Sequence, residues 1–222
     1  MPDQRISFSK TGRARYISHL DLMRTFQRAF LRAGVPIRHT EGFNPHAYVS
    51  IPLPLSVGYS SECEIMEFGL MGEVPLSEVP WRLTRTLPEG ITVHRCYDAA
   101  RPFKELCYVN YIITLEYEAG TPVGAENAIR ALLSRDALVV TKKSKKAKSG
   151  ETQVDLIPLI HRFNLECQSD TLTLDAVVQA QNPGLNPALI LEAIGRECPQ
   201  AAPDYVSYHR KRVLDQEFQP YE

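Results

Sequence analysis

SHLDLMRTFQRAFLRAGVPIRHTEGFNPHAYVSIPLPLSVG, residues 18–58, holds the turn from helix to strand on which the fold depends. Ser18 suits an N-cap, because its hydroxyl can accept a bond from a first-turn N–H. Asp21 then sets a negative charge at the positive end of the helix dipole. Leu22, Phe26, Ala29, Phe30 and Ala33 recur at the spacing of one helix face. Gly34 and Pro36 supply the stop signal. A strand is expected from Ile37, interrupted by GFNPH at 42–46. AYVSIPLPLSVGY (47–59) leads into CEIMEFGL (63–70), where Ile65 alternates with Glu64 and Glu67.

Working outward, QRISFSKTGRARYIS (4–18) alternates around Ile6 and Phe8, breaks at Thr11-Gly12-Arg13 and resumes at Tyr16 and Ile17. It reads as a strand entering a glycine turn. PLSEVPWRLTRTLPEG (75–90) reads as a second helix closed by Pro88 and Gly90, and ITVHRCYDA (91–99) as a strand. After a connection at 99–106 the order repeats. CYVNYIITLEYEA (107–119) is a strand. TPVGAENAIRALLSRDA (121–137) is a helix with Ala128, Leu132 and Leu133 inward. Residues 138–160 hold two strand-like runs around a lysine-rich tip, and 161–180 form a hairpin turning at Gln168–Thr171. NPALILEAIGREC (186–198) is a helix after an Asn N-cap, and DYVSYHRKRVLD (204–215) a last strand. The expected fold is α+β, two tandem ferredoxin-like βαββαβ units with antiparallel sheets. The expected domains are 1–100, with the basic helix and the GFNPH loop, and 107–222, with the lysine-rich loop. The repeat is structural only, since the halves share no convincing residue-by-residue identity.

Composition is that of an ordinary globular chain, and the net charge of −1 predicts no overall attraction to polyanions. The distribution is uneven, however. Residues 1–50 carry eight Lys/Arg against three acids, and 139–150 carry five lysines and no acid, so the remainder holds −11. Binding follows the local field rather than the sum. The five cysteines are at least 11 residues apart, without CxxC spacing, so reduced thiols are expected in a cytoplasmic protein. The N-terminus lacks the apolar stretch of a secretory signal, and no apolar run is long enough to span a membrane. The six histidines show neither HxxxH nor HExxH, and there is no Walker loop, GxGxxG or GxSxG. No metal or cofactor is expected.

Arg24, Arg28 and Arg32 stand four apart, and at about 100° per residue their stripe lies roughly opposite the Phe26/Ala29/Ala33 face. A solvated helix surface accounts for such a stripe, and so does a surface for phosphates, which guanidinium groups bind in bidentate fashion. Lys10, Arg13, Arg15 and Arg38 from flanking segments add to it. Tyr16, Phe43 and Tyr48 are either core or stacking surfaces for bases. His19 and Asp21 are two apart at a helix start, so their side chains diverge. In GFNPH, Gly42 permits unusual dihedrals, Asn44-Pro45 initiates a turn, and His46 is presented from the loop. That loop is either a plain turn or a ligand-facing one. KKSKKAKSG, with Lys142, Lys143, Lys145 and Lys146 (and Lys148), is either a solvated loop or a further phosphate contact, with Asp155 beside the apolar run that anchors it.

FSKTGRARYISHLDLMRTFQRAFLRAGVP (8–36), EGFNPH (41–46) and SIPLPLSVG (50–58) together resemble the radical-SAM-linked proteins, a bacterial family. TKKSKK followed by VDLIPLI resembles that family's second landmark. The resemblance implies a partner that is a radical-SAM protein. The absence of CxxxCxxC implies that this chain does not itself cleave S-adenosylmethionine. More distantly, HLD…FQRAFLRAG…GFNP is similar to the CRISPR RAMP superfamily. That similarity implies tandem ferredoxin-like domains, RNA as partner, and RNA contacts for His19 or His46. The glycine-rich loop near the C-terminus of many such proteins is not evident here.

The leading expectation is therefore an RNA-binding accessory protein without activity of its own, presenting tRNA or rRNA to a radical-SAM modifying partner. Arg13, Arg15, Arg24, Arg28 and Arg32 would hold phosphates, Asn44–His46 a base or sugar, and the lysine loop would extend the grip. One alternative is a metal-independent endoribonuclease using His19 or His46 as general acid/base. Another is a protein-docking module with no RNA role.

Overall fold

The computed structural model describes residues 3–143 and 150–221, for 142 and 143 the backbone alone. The chain divides into two compact units, Met1–Leu106 with His209–Arg212 and Tyr221–Glu222, and Cys107–Tyr208 with Val213–Pro220. Residues 209–212 thus belong to the first unit rather than to a 107–222 domain. Both units are α+β, built on mostly antiparallel strands.

The first unit runs β1 (Gln4–Lys10), a 3-10 turn (Gly12–Tyr16), α1 (His19–Arg32), β2 (Val49–Ser50), β3 (Ser60–Phe68), α2 (Val79–Thr84) and β4 (Ile91–Asp98). β1 pairs antiparallel with β3 and β4, and β2 antiparallel with β3, so the order is β4-β1-β3-β2. His209 and Arg210 lie parallel to Ser60 and Ser61 at the start of β3. Ile6 and Phe8, alternate residues of β1, are fully buried, and with Met66 and Phe68 they meet Phe26, Ala29 and Phe30 of α1 and Val79 and Leu83 of α2. The Phe8 and Phe26 rings meet edge to face with centroids 4.8 Å apart. An aromatic pair in that geometry adds about 0.5–1.5 kcal/mol to its area burial.

α1 is closed at both ends by its own sequence. Ser18 Oγ accepts from the Asp21 N–H at 3.2 Å and donates to the Asp21 carboxylate at 2.8 Å. At the other end Gly34 takes φ +63°, its N–H bonds to Leu31 O, and the Val35 N–H bonds to Phe30 O. These two bonds make a Schellman motif, which a left-handed glycine allows without strain.

Three expectations are corrected here. The strand expected from Ile37 shrinks to two isolated bridges, Ile37 with Leu70 and His39 with Ala47, followed by the two-residue β2. Pro36, Pro45, Pro52 and Pro54 withhold the N–H donors that a longer ladder needs. Residues 12–16 form a 3-10 turn instead of resuming a strand. α2 has six residues, starts with Pro80 in its first turn, and ends before Thr86, whose hydroxyl donates to Leu83 O at 2.9 Å.

The second unit runs β5 (Tyr108–Glu116), α3 (Ala125–Leu133), β6 (Val139–Lys143), β7 (Glu151–Asp155), β8 (Ile160–Cys167), β9 (Thr171–Gln179), α4 (Ala188–Glu197) and the two ends of β10 (Tyr205–Leu214), whose middle, His209–Arg212, belongs to the first unit. β9 lies antiparallel between β5 and β8. β10 flanks β5, with Cys107 N–H bonded to Leu214 O and Asp204 N–H to Glu116 O. Among the described residues β6 and β7 pair only with each other, as a separate antiparallel sheet. Asp155 fastens its base, since one carboxylate oxygen accepts from the Leu138 N–H at 2.8 Å and the Ile157 N–H at 3.2 Å. α3 begins at Ala125, because Gly124 stands at φ +81°, and it buries Ile129 with Leu132 and Leu133, leaving Ala128 half-buried. Asn186 Oδ1 accepts from the Ala188 N–H at 3.1 Å and so caps α4.

Candidate nucleic-acid interface

α1 turns its charged residues outward because its apolar ones are inward. Leu22, Phe26, Ala29 and Phe30 are buried, and Arg24, Arg28 and Arg32 are exposed on the other side. Four residues of α-helix rise about 6 Å, so the stripe extends about 12 Å. Arg24 meets Asp21 at 3.5 Å, an exposed pair worth little in water. Arg32 Nη2 donates to Thr86 O at 2.7 Å, which fixes its guanidinium and leaves other N–H groups free to bind. Arg28 has no ion-pair partner among the described residues.

The other expected contacts divide into surface and interior. Arg13 is exposed on the 3-10 turn. Arg15 is half-buried, donates to the Tyr16 hydroxyl at 2.7 Å and lies 4.8 Å over the Tyr16 ring, which is exposed. Arg38 pairs with Asp3 at 3.0 Å and covers the Tyr48 ring. Lys10 departs from expectation: only 1% exposed, its ammonium donates to Arg15 O at 3.1 Å and does not reach the surface. Burial holds its pKa below the ordinary lysine value. Lys145 and Lys146 lie outside the described residues, as do the side chains of Lys142 and Lys143.

The 40–46 loop is tied at its neck. Thr40 N–H bonds to His46 O, His46 N–H bonds to Thr40 Oγ1, and the His46 ring Nδ1 stands 3.1 Å from that hydroxyl and 3.2 Å from Asn44 O. Phe43, Asn44 and His46 are exposed, the Phe43 ring fully so. His19 is half-buried in the first turn of α1, and no hydrogen bond joins it to His46 among the described residues.

Two groups escaped sequence reasoning. The first is interior: Glu64 accepts from Arg210 at 2.8 Å, and Arg210 also donates to Leu53 O at 2.9 Å, with both side chains at most 4% exposed. Lys10 lies within reach of the same carboxylate's field. Burial, and then Glu64, push the neighbouring Cys63 thiol up to about 12, so it is no nucleophile at neutral pH. Beside it the His209 ring is held by Ser60 Oγ at 2.9 Å and by Glu62 at 3.2 Å. The signal was faint: Lys10 follows Ile6 and Phe8 at alternate positions, which put it on the inward face. The second group is at the surface, where Arg32 meets Trp81, Arg82 and Arg85 around a depression of about 390 Å³. A more apolar cavity of about 510 Å³, lined by Phe30, Leu31, Val35 and Ile37, offers little to a phosphate.

Among the described residues no three His, Cys, Asp or Glu side chains gather as a metal site, and no helix is long and apolar enough to cross a membrane. A family model described as "Uncharacterized protein conserved in bacteria (DUF2344)" matches residues 4–187. No curated protein matches the chain. Among solved structures, the crystal structure of an unknown protein from Galdieria sulphuraria aligns over 94% of this chain and 98% of its own, at 10% identity and a TM-score of 0.29. That score bears on neither fold nor function.

Proposed function

The chain belongs to the bacterial family DUF2344, and from that premise we propose that it is an RNA-binding accessory protein, presenting tRNA or rRNA to a radical-SAM modifying partner. The observation that carries the reading is the exposed Arg24–Arg28–Arg32 stripe, set opposite a fully buried helix face. Guanidinium groups spaced along a rigid helix match a phosphate backbone, and releasing its counterions drives binding. Arg13 and Arg15 extend the basic surface at the 3-10 turn, and the tied loop offers Phe43 for stacking and Asn44 and His46 for base or sugar contacts. We read both units as ferredoxin-like: β4-β1-β3-β2 in the first and β10-β5-β9-β8 in the second follow one strand order, with the β6–β7 sheet inserted in the second. The radical-SAM partner rests on the sequence resemblance alone.

The test is recovery of the protein from its native cells after crosslinking, with sequencing of the bound RNA. An Arg24→Glu/Arg28→Glu/Arg32→Glu variant is the control. Enrichment of one RNA class, lost in the variant, is the expected result, with a radical-SAM protein in the same eluate. Equal and negligible RNA from both proteins overturns the reading. Cleavage of the recovered RNA that stops in His19→Ala or His46→Ala, with binding intact, replaces it with the nuclease alternative.

A further inference from the structure

The chain's only tryptophan is turned to solvent. Val79 and Leu83 of α2 are fully buried, and Trp81, two residues from each, is 51% exposed. Half exposure is ordinary for a lone tryptophan, and what marks this one is what surrounds it. Its neighbours are cationic: the Arg85 guanidinium lies 5.7 Å from the ring centroid and that of Arg82 5.8 Å. Arg82 is steadied by Glu78 one turn earlier. Arg85 has no ion-pair partner among the described residues. Arg32 arrives from α1, held in place by Thr86 O, so the stripe on α1 ends at this ring.

Resting on the RNA-binding reading, we propose that Trp81, Arg85 and Arg32 form a pocket for one unpaired RNA nucleotide. Its base stacks on the Trp81 ring, and its phosphate lies between the Arg32 and Arg85 guanidinium groups. Every base has a π-face, so such a site accepts single-stranded RNA without strong sequence preference. Guanidinium groups pair with the phosphate through charge-assisted hydrogen bonds. The depression, about 390 Å³, falls in the size range of small-ligand sites. The stripe supplies the track for the flanking phosphates, and the pocket is where the strand is read as a single strand rather than a duplex.

The single tryptophan makes the site directly observable. The full chain is titrated with an eight-nucleotide adenosine RNA, following label anisotropy in one series and tryptophan emission in another. The expected result is quenching of the emission in step with the anisotropy rise. Trp81→Ala and Arg85→Ala each raise Kd about tenfold, and Trp81→Phe, which keeps a stacking ring, stays within about threefold. Arg85→Ala retains the fluorophore and reports even where Trp81→Ala perturbs α2. A rise in anisotropy with unchanged emission, and with Kd unmoved in Trp81→Ala and Arg85→Ala, overturns the pocket and leaves RNA binding standing. No anisotropy rise overturns both. Quenching by AMP at lower concentration than by the octamer overturns the RNA form in favour of a free mononucleotide. Quenching by octaglutamate at lower concentration than by the octamer overturns it in favour of an acidic protein partner.

Discussion

Two sets of cations from the first unit met opposite fates. Arg24, Arg28 and Arg32 lie along the outer face of α1, in water. Lys10 and Arg210 lie in the interior beside Glu64, at 1% and 3% exposure. The stripe costs the fold almost nothing, and its charge is available to a ligand. The interior set is unavailable to any ligand and is tolerated only because each charge has a partner, Arg210 with Glu64, Leu53 O and Pro54 O, Lys10 with Arg15 O. Basic residues therefore divide by the face they occupy, and only the exposed set belongs in an account of binding.

The sharpest way to break this contrast is to remove one buried partner. Arg210→Ala strips buried Glu64 of its hydrogen-bonded ion-pair partner and leaves it only the field of Lys10, and a loss of about 3 kcal/mol is expected in urea unfolding. A loss below about 1 kcal/mol means that water reaches the cluster and that the interior set is not interior. Next comes the cap that aims the stripe: Ser18→Ala costs about 1 kcal/mol by the same measurement. It also speeds amide exchange in the first turn of α1. Replacing Arg24, Arg28 and Arg32 individually with Gln is expected to change stability by no more than about 0.5 kcal/mol each, because exposed pairs such as Arg24 with Asp21 contribute little. A larger loss identifies a structural role for the stripe.

The cysteines sharpen the comparison by pH. Cys63 and Cys96 are pushed up to about 12, by burial first, from an ordinary value of 9.0. Between pH 9 and 12 the unfolded chain loses those two protons while the folded one keeps them. The folded state then binds more protons, so stability falls as pH rises through that window. Cys63→Ala is expected to shallow that alkaline fall, measured as urea midpoints at pH 8 and 10. At pH 8 a disulfide reagent is expected to modify exposed Cys167 quickly and half-buried Cys63, held as the thiol, far more slowly.

α1 was legible in the sequence because everything that specifies it is local: Ser18, the spacing of Leu22, Phe26, Ala29 and Phe30, and Gly34. The order of strands and helices in the first unit was legible for the same reason. The segment around β2 was not, because a strand was expected from Ile37 while Pro36, Pro45, Pro52 and Pro54 removed its donors. Lys10 was misplaced by reading charge as exposure, although its alternation with Ile6 and Phe8 pointed inward. Glu64 and Arg210, 146 residues apart, gave no local sign of being partners. The cluster of Arg32 with Trp81, Arg82 and Arg85 is likewise made by packing α1 beside α2, which no spacing within either segment reveals.

The most direct test of the central claim is the salt dependence of binding to single-stranded RNA, for the natural chain and the Arg24→Gln/Arg28→Gln/Arg32→Gln variant. If the three arginines hold three phosphates, the slope of log K against log salt becomes shallower by about 2 in the variant, since each contact on a single strand contributes about 0.7. An unchanged slope and affinity would show that RNA does not lie along α1, and would contradict the account.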